Sequence, residues 1–390
     1  MIHREISVKL KSLAGTFPVV TIEGPRQSGK TTLARAVFPS YSYANLEDVS
    51  ARQLAEKDPR GFFERFKPPA IIDEIQRVPG LLSAIQSEVD RLGGNGHFIL
   101  TGSHQPRLKE GIAQSLAGRT ALLTLLPLSI RELRCSGITL SRDEYIFKGF
   151  LPAIYDREQN PNDAYEAYYR TYVEKDVRQL INVSHQSEFE LFVRLLAGRV
   201  GQVVNLEGMA GEVGVSSTTL KEWLSVLEAS FIVFKLPPYY NNFGKRFVKS
   251  PKIYFTDVGL AAHLLEITEP SQVMRDPLAG GLFENLVVVE ALKTRLNSGW
   301  RPSLYYIRGK AGLEIDLVLE LRRKLYAFEI KSASTPDASF IGNINRFEKT
   351  ISPVEGKSVI YSGEEWPIPG GGQFINYKDM SDVIDLVVSR

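Results

Sequence analysis

The residues with the clearest chemical meaning form a loop near the start of the chain. The loop has the spacing Gly-x-x-x-x-Gly-Lys-Thr and lies between an apolar run at 17–23 and a helix-forming run at 32–38. Two glycines let such a loop curl so that its backbone N–H groups point at a phosphate, and the helix that follows adds the positive end of its dipole. We therefore predict a strand, a phosphate-binding loop and a helix. The predicted binding residues are Gly24, Pro25, Arg26, Gln27, Ser28, Gly29, Lys30, Thr31 and Thr32.

Two side chains of this loop suit a nucleoside triphosphate and its metal ion. Lys30 is expected to reach the β- and γ-phosphates, and the Thr31 hydroxyl is expected to complete a Mg²⁺ shell. The implied cofactors are ATP and Mg²⁺. Guanine nucleotides stay open at this point because the loop binds phosphates and not bases, although the chain has no Asn-Lys-x-Asp sequence that would specify guanine.

Two adjacent acids follow a second apolar run. The run at 70–72 ends in Asp73 and Glu74. A parallel strand buried on both faces has this composition, and ligands bind at the carboxyl ends of such strands. We expect Asp73 to hold Mg²⁺, directly or through water, and Glu74 to polarise the attacking water as a general base.

Two further candidates follow the next predicted strand, 97–100. Ser103, with Thr101 in reserve, is a candidate sensor of the γ-phosphate; the alternative is a hydroxyl that caps a helix starting near Gln105. Arg119 lies at the end of that helix. It is a candidate arginine finger for a neighbouring subunit, or a cation that stabilises the helix C-terminus through the dipole.

The composition is that of an ordinary globular protein. With 390 residues, 43% hydrophobic and 24% charged, the chain is long enough for two to four units. A net charge of +2 gives no global attraction to nucleic acid or to an anionic membrane. Cys135 is the single cysteine, and no run of apolar residues is long enough to span a bilayer. We expect a cytoplasmic protein without a signal peptide or membrane span.

The pattern in the middle of the chain predicts helices, followed by a small module of helices and strands. Helices at 206–213 and 218–228, separated by a turn, have helix-turn-helix spacing and precede a strand at 231–236. The segment 235–252 then holds five basic residues and no acid: Lys235, Lys245, Arg246, Lys249 and Lys252. This pattern predicts a winged helix with a basic wing. Such modules bind DNA or only proteins, and both remain open.

A second chemical constellation lies near the C-terminus. Asp316 lies in a strand predicted at 313–319, and Glu329 and Lys331 lie in the next, 325–331. The strand period puts Glu329 and Lys331 on one face, and a hairpin lets Asp316 join them. Two carboxylates can hold Mg²⁺ while a lysine orients the water that attacks a phosphodiester, and Glu284 is a further acid for this site. A half-exposed hairpin with no catalytic role would show the same alternation of charged and apolar residues.

Together these motifs resemble a known family: prokaryotic ATP-binding proteins that join an AAA-type ATPase domain to a C-terminal domain of unknown function. The similarity runs nearly end to end. It includes the motifs at 24–32, 72–76, 100–103, 118–119, 127–129, 171–177, 255–260 and 283–285. The closing pair, 314–316 with 329–331, looks like the core of the PD-(D/E)XK nuclease superfamily.

Together with the patterns described above, the resemblance predicts an α/β fold with four parts. These are a P-loop AAA-type ATPase core with a parallel sheet (1–135), a helical lid (136–200), a winged-helix module (201–260) and a restriction-endonuclease-like α/β C-terminal domain (270–390). The core would be of the additional-strand, catalytic-glutamate kind.

The implied function is Mg²⁺-dependent ATP hydrolysis, acting on or with DNA. The alternative is a nucleotide-dependent switch whose C-terminal half docks a protein partner without nuclease activity. DNA, a protein partner and a second copy of the chain are the candidate partners, and no membrane contact is expected.

Overall fold

The computed structural model describes residues 2–103, 111–112, 114–177, 186–239, 250–309 and 312–389, without the side chains of 174–176 and 389. The chain forms two compact units. The first comprises Met1–Leu128, Ala229–Phe231 and Leu296–Trp300, and the second comprises the remaining residues. The segments predicted as lid, winged helix and nuclease-like domain all fall mainly in the second unit, so the boundaries between them stay predictions.

A five-stranded sheet forms the centre of the first unit, and its adjacent strands are all parallel. The strands β1 to β5 span Val19–Gly24, Ser42–Asn45, Ala70–Asp73, Phe98–Ser103 and Thr120–Thr124. The helices α1 to α5 span Ser7–Ala14, Lys30–Val37, Val49–Lys57, Pro59–Arg65 and Leu81–Leu92. The predicted α/β core with a parallel sheet is confirmed.

The strand order β2-β3-β4-β1-β5 places β4 between β1 and β3. This is the extra strand that the additional-strand class predicts. Gly24 lies opposite Ser103, and Ile72 lies opposite Leu100. The carboxyl edge of the sheet, where β1, β3 and β4 end at Gly24, Asp73 and Ser103, therefore gathers the predicted phosphate loop, acids and sensor at one place.

Both faces of this sheet are covered, which explains why its central strands β1, β3 and β4 are mostly apolar. On one face Ile72 packs in a core that includes Phe62 of α4, and on the other Ile71 packs in a core that includes Leu10 of α1. Both β3 and β4 are buried over their whole length. A parallel sheet between two helical layers requires this burial.

The second unit begins with helices and continues into a small two-stranded sheet. The helices α6 to α9 span Ile130–Cys135, Arg142–Lys148, Pro152–Asp156 and Pro161–Tyr168, and a π-helix follows at Tyr169–Val177. The helices α10 to α12 span Gln186–Ala197, Leu206–Val213 and Ser217–Ala229. The antiparallel strands β6 and β7 span Val233–Leu236 and Lys252–Phe255. This chain order matches the one expected for a winged helix, whose assignment stays a proposal.

One part of the predicted basic wing is wrong. Lys252 is buried and bound to carboxylates, with its side chain 2% exposed, so it is not part of a surface for DNA. Lys235 pairs with Glu228 at 2.8 Å. The other three basic residues of the wing fall at 245, 246 and 249, outside the described residues.

The second unit ends in a six-stranded mixed sheet with the order β12-β13-β11-β10-β9-β8. The strands β8 to β13 span Leu304–Arg308, Glu314–Leu321, Lys324–Lys331, Gly356–Tyr361, Trp366–Pro367 and Gln373–Asn376. The helices α13 to α17 span Val258–Leu264, Pro270–Val273, Ala279–Asn297, Gly342–Thr350 and Met380–Ser389. The predicted hairpin is present as the antiparallel pair of β9 and β10.

Over the described ranges, the structure contains no helix with the length and apolar character that a membrane span needs.

The tight approach of the phosphate loop to the end of β5 gives a prediction about stability. In Gly24→Ala, the new methyl group would lie 2.1 Å from the Leu125 carbonyl oxygen, at a residue whose φ is +152°. We expect the free energy of unfolding of the first unit to fall by about 3 kcal/mol, as overpacking and backbone strain add. Urea denaturation measures the change. Gly80→Ala is the matched control because no atom lies within 4 Å of its added methyl group. A Gly24→Ala variant as stable as the parent would contradict this contact.

Candidate functional site

The loop between β1 and α2 has the backbone shape that an inward-facing phosphate loop requires. Gly24, Gln27 and Gly29 have positive φ values of 152°, 60° and 90°. Ser28 is buried, and its hydroxyl donates to the Pro25 carbonyl at 3.0 Å. A loop of this kind before a helix N-terminus presents backbone N–H groups to an anion.

Lys30 begins α2, and its buried ammonium points back into the loop. It donates to the carbonyl oxygens of Gly24 at 3.1 Å and Pro25 at 2.7 Å. Burial lowers the pKa of Lys30 to about 8, although the carboxylates of Glu74 and Asp73 oppose the shift. A cation that donates to neutral carbonyls inside an anion-binding loop is suited to exchange them for phosphate oxygens.

Asp73 is the centre of a hydroxyl network at the carboxyl edge. The Thr31 hydroxyl lies 2.9 Å and 3.0 Å from its two oxygens, and the Tyr43 hydroxyl donates to it at 2.9 Å. Thr101 donates to it as well. The predicted metal ligands Thr31 and Asp73 are therefore in direct contact, and both offer the hard oxygen atoms that Mg²⁺ prefers.

The sequence assigned no role to Tyr43 and treated Thr101 only as a reserve sensor. Tyr43 comes from β2, which lies beside β3 in the sheet. Its hydroxyl reaches Asp73 through that pairing, and no local motif marks it.

Glu74 follows β3 in a left-handed backbone conformation, with φ at 59°. Its carboxylate accepts a hydrogen bond from the side-chain amide of Gln76. Burial raises the pKa of Glu74, with Asp73 acting in the same direction and Lys30 against it. A carboxylate with a raised pKa beside a phosphate loop is suited to accept a proton from water.

Ser103 ends β4 directly opposite Gly24 and is buried. Its hydroxyl has no hydrogen-bond partner within the described ranges. Buried hydroxyls are normally bonded, so this one is suited to a ligand oxygen or a water molecule. The alternative role as a helix cap depends on residues 104–110, which lie outside the described residues.

Arg119 lies at the opposite end of the sheet from the phosphate loop. Its carbonyl accepts the N–H of Val19 at 3.2 Å, at the start of β1. Its guanidinium binds Asp90 of α5 at 2.7 Å and 2.9 Å. The length of β1 separates this end from Gly24 by roughly 17 Å. Arg119 is thus not part of the carboxyl edge, and its action on a neighbouring subunit stays a prediction.

The groups at the carboxyl edge fit a nucleotide phosphate and a divalent cation. Within the described ranges, the buried Lys30 ammonium donates to two carbonyls, the Thr31 hydroxyl faces the Asp73 carboxylate, and the buried Ser103 hydroxyl has no hydrogen-bond partner. Each of these groups would gain a bond from a phosphate oxygen, a metal ion or a bound water.

The second unit brings together the four residues predicted for a second metal site. Glu284 lies on α15, Asp316 on β9, and Glu329 and Lys331 on β10. The Lys331 ammonium lies 2.7 Å from Glu329 Oε1 and 3.7 Å from Asp316 Oδ2. The backbone N–H of Ile330 also donates to Asp316 at 2.9 Å.

Two further charged residues, Lys252 and Glu314, complete this set; the sequence assigned neither of them a role at this site. Lys252 Nζ lies 2.9 Å from Glu284 Oε1, 2.9 Å from Glu314 Oε1 and 3.8 Å from Asp316 Oδ1. The Tyr254 hydroxyl donates to Glu284 at 2.5 Å. We call Glu284, Glu314, Asp316 and Glu329 the acidic cluster.

Burial and a neighbouring carboxylate raise the pKa of two members of the acidic cluster, Glu284 and Glu329. Burial, reinforced by Asp316, raises the pKa of Glu284 to about 7 and that of Glu329 to about 8. Burial disfavours the charge on Lys252, but Glu284, Asp316 and Glu314 outweigh it and raise the pKa of this lysine. The Oε2 atom of Glu329 is buried without a hydrogen-bond partner in the part of the chain that is described.

Among the described residues, no group of three or more His, Cys, Asp and Glu side chains is arranged to hold a metal ion. The predicted second metal site at Asp316 and Glu329 therefore stays a prediction.

Three family models match the chain. Residues 16–134 match an AAA domain, residues 140–271 match a domain of unknown function (DUF8612), and residues 279–379 match another domain of unknown function (DUF4143). The first match covers the phosphate loop and the whole carboxyl edge, so an AAA-type domain is present. The other two matches name no activity.

Among solved structures, the Walker-type ATPase PABY2304 of Pyrococcus abyssi covers 67% of this chain and 95% of its own, with 15% identity and a TM-score of 0.41. DnaA from Aquifex aeolicus, bound to AMPPCP, covers 57% of this chain and 85% of its own, with 15% identity and a TM-score of 0.29. Likenesses this distant carry no further conclusion.

Two relatives are much more similar in sequence. The uncharacterized proteins Rv2008c of Mycobacterium tuberculosis and Mb2031c of Mycobacterium bovis are each 33% identical over 342 residues, which is 86% of this chain and 75% of theirs. An uncharacterized protein of Haemophilus influenzae is 25% identical over 329 residues, which is 75% of this chain and 79% of its own. The chain therefore belongs to the same family as the two mycobacterial proteins.

Proposed function

We propose that the first unit binds ATP with Mg²⁺ and hydrolyses it. The observation that carries this proposal is the meeting of Lys30, Thr31, Asp73 and Glu74 at the carboxyl edge of a sheet with an additional strand. The match of this region to an AAA domain supports the same conclusion.

Each group at the carboxyl edge has a distinct task in this proposal. Thr31 and Asp73 would hold Mg²⁺, which would supply positive charge to neutralise the phosphates. Tyr43 and Thr101 keep the Asp73 carboxylate in place through their hydroxyls. Lys30 exchanges its carbonyl partners for phosphate oxygens and so binds the nucleotide.

The proton of the attacking water moves to the carboxylate of Glu74. Its raised pKa improves its strength as a base, and release of the Gln76 amide frees the oxygen that takes the proton. The Ser103 hydroxyl positions the γ-phosphate or this water. Arg119 serves as an arginine finger for a second copy of the chain, since it lies far from the phosphate loop of its own unit.

The second part of the proposal concerns DNA. The acidic cluster with Lys331 has the residue types of a metal-dependent nuclease, and the order of α11, α12, β6 and β7 suits a winged helix that contacts DNA. We propose that the protein acts on or with DNA in response to ATP.

A second candidate function is a nucleotide-dependent switch whose C-terminal half docks a protein partner. Lys252 favours it, because its ammonium already neutralises the carboxylates that a nuclease would use to hold a metal ion. Slow ATP hydrolysis would then reset the switch.

The first prediction of this proposal concerns nucleotide binding. Lys30→Ala should weaken ATP binding by at least about 100-fold, because it removes the buried cation that pairs with phosphate oxygens. Titration with a fluorescent ATP analogue measures the effect. Lys57→Ala, an exposed lysine at the end of α3, is the matched control and should bind like the parent. Ordinary ATP affinity in a folded Lys30→Ala variant would disprove the phosphate-loop assignment.

A second prediction separates binding from chemistry. Glu74→Gln should keep its ATP affinity but hydrolyse ATP at least about 100-fold more slowly, because the amide cannot accept the proton of water. Phosphate release at saturating ATP and Mg²⁺, beside the measured affinity, tests both parts. Glu64→Gln, an exposed acid on α4, should turn over normally. Undiminished hydrolysis in Glu74→Gln would remove Glu74 from the mechanism.

A third prediction tests the role of DNA. We expect duplex or single-stranded DNA to raise the rate of ATP hydrolysis, and we expect DNA binding to weaken steeply with salt because phosphates release counterions. Hydrolysis and filter binding over a range of salt concentrations measure both effects. Any strand cleavage that survives in Lys331→Ala does not come from the acidic cluster. If DNA does not change the rate of ATP hydrolysis and the protein retains its nucleotide tightly, the result would favour the nucleotide-dependent switch instead.

A further inference from the structure

Lys252 occupies the position at which the acidic cluster would hold a cation. Its ammonium contacts carboxylates from two different elements, Glu284 on α15 and Glu314 on β9, both at 2.9 Å. Asp316 Oδ1 is 3.8 Å away. On another side, the ring of Tyr306 lies 5.6 Å from the same nitrogen. Three carboxylates from two elements thus converge on one positive charge.

The backbone holds this lysine firmly in place. Lys252 begins β7, where it pairs with Leu236 of β6 and forms a bridge with Val203. Its side chain is 2% exposed. A charge buried this deeply is tolerated only when opposite charges surround it, so Lys252 and the acidic cluster depend on each other.

The acidic cluster nevertheless has bonding capacity that is not used. Glu329 is 4% exposed, and its Oε2 atom has no hydrogen-bond partner within the described ranges. Lys331 and Glu314 are about one-third exposed, so the acidic cluster can be reached from solvent on their side. The Oε2 atom of Glu329, near Asp316, has room for one further hydrogen-bond partner or cation.

A metal ion and the Lys252 ammonium cannot use the same carboxylate oxygens together. Two cations within a few ångströms repel each other, and they repel more strongly in a buried site than in water. The ammonium already holds an oxygen of Glu284 and lies close to one of Asp316. A metal ion that binds Glu284 Oε1 and Asp316 Oδ1 therefore requires that Lys252 give way.

We propose that Lys252 is a built-in counter-cation that competes with divalent metal ions for Glu284 and Asp316 and keeps the acidic cluster free of metal in the resting protein. This inference rests on the proposed second metal site and adds its regulation.

The test compares Mn²⁺ binding in the full-length parent and in Lys252→Met, which keeps the length of the side chain and removes its charge. Electron paramagnetic resonance of free Mn²⁺ gives the affinity, and only binding that disappears when Asp316→Asn is added is assigned to the acidic cluster. We expect this binding to be at least about tenfold tighter in Lys252→Met than in the parent. Lys235→Met, which removes a lysine paired with Glu228, is the matched control and should bind like the parent.

Each result supports or overturns the proposal. Binding that appears in Lys252→Met and is lost with Asp316→Asn supports it. Asp316-dependent binding that is equally tight in the parent leaves the metal site standing but overturns the role of Lys252. A folded Lys252→Met variant without Asp316-dependent binding overturns the metal site and this inference together. If Lys252→Met does not fold, Lys252→Gln takes its place, because it keeps a hydrogen-bond donor for Glu284, and the same outcomes apply.

Discussion

The first unit depends on one geometric constraint: parallel strands end at the same edge of a sheet. Residues separated by many positions in the sequence become neighbours because β1, β3 and β4 all finish at the carboxyl edge. The phosphate loop, the Asp73 carboxylate and the Ser103 hydroxyl meet there without any local contact in sequence. The strand β4 between β1 and β3 sets the distance between the loop and the acids.

Burial of charge governs both candidate sites, but with opposite consequences. In the first unit, burial lowers the pKa of Lys30, and the ammonium is held by carbonyls that a phosphate could replace. In the second unit, Lys252 is buried against carboxylates that raise its pKa, so its charge is firmly held. A buried cation bound to neutral partners is suited to bind an anion, whereas one bound to carboxylates is already neutralised.

Much of the fold was predictable because its signals are local. The strand, loop and helix around Lys30 follow from glycine spacing and an apolar run, and the pair of β9 and β10 follows from strand alternation with a charged turn. The pairing of Glu329 and Lys331 likewise follows from their separation by one residue on a strand. The prediction that Lys252 is part of an exposed basic wing was wrong. A basic segment is expected at the surface, and the sequence does not reveal that the fold places buried carboxylates next to this lysine.

By itself, the sequence determined the phosphate loop, the two acids at the end of β3 and the residue types of the acidic cluster. Each depends on short-range spacing, which strands and turns convert directly into geometry. Only the tertiary structure decided which side chains surround them. Tyr43 and Thr101 reach Asp73 through the pairing of neighbouring strands, Arg119 lies at the far end of the sheet, and Lys252 meets Glu284 through contacts between β7 and α15. The physical reason is that hydrogen bonds and ion pairs act over a few ångströms in space, and the sequence order of their partners does not reveal that proximity.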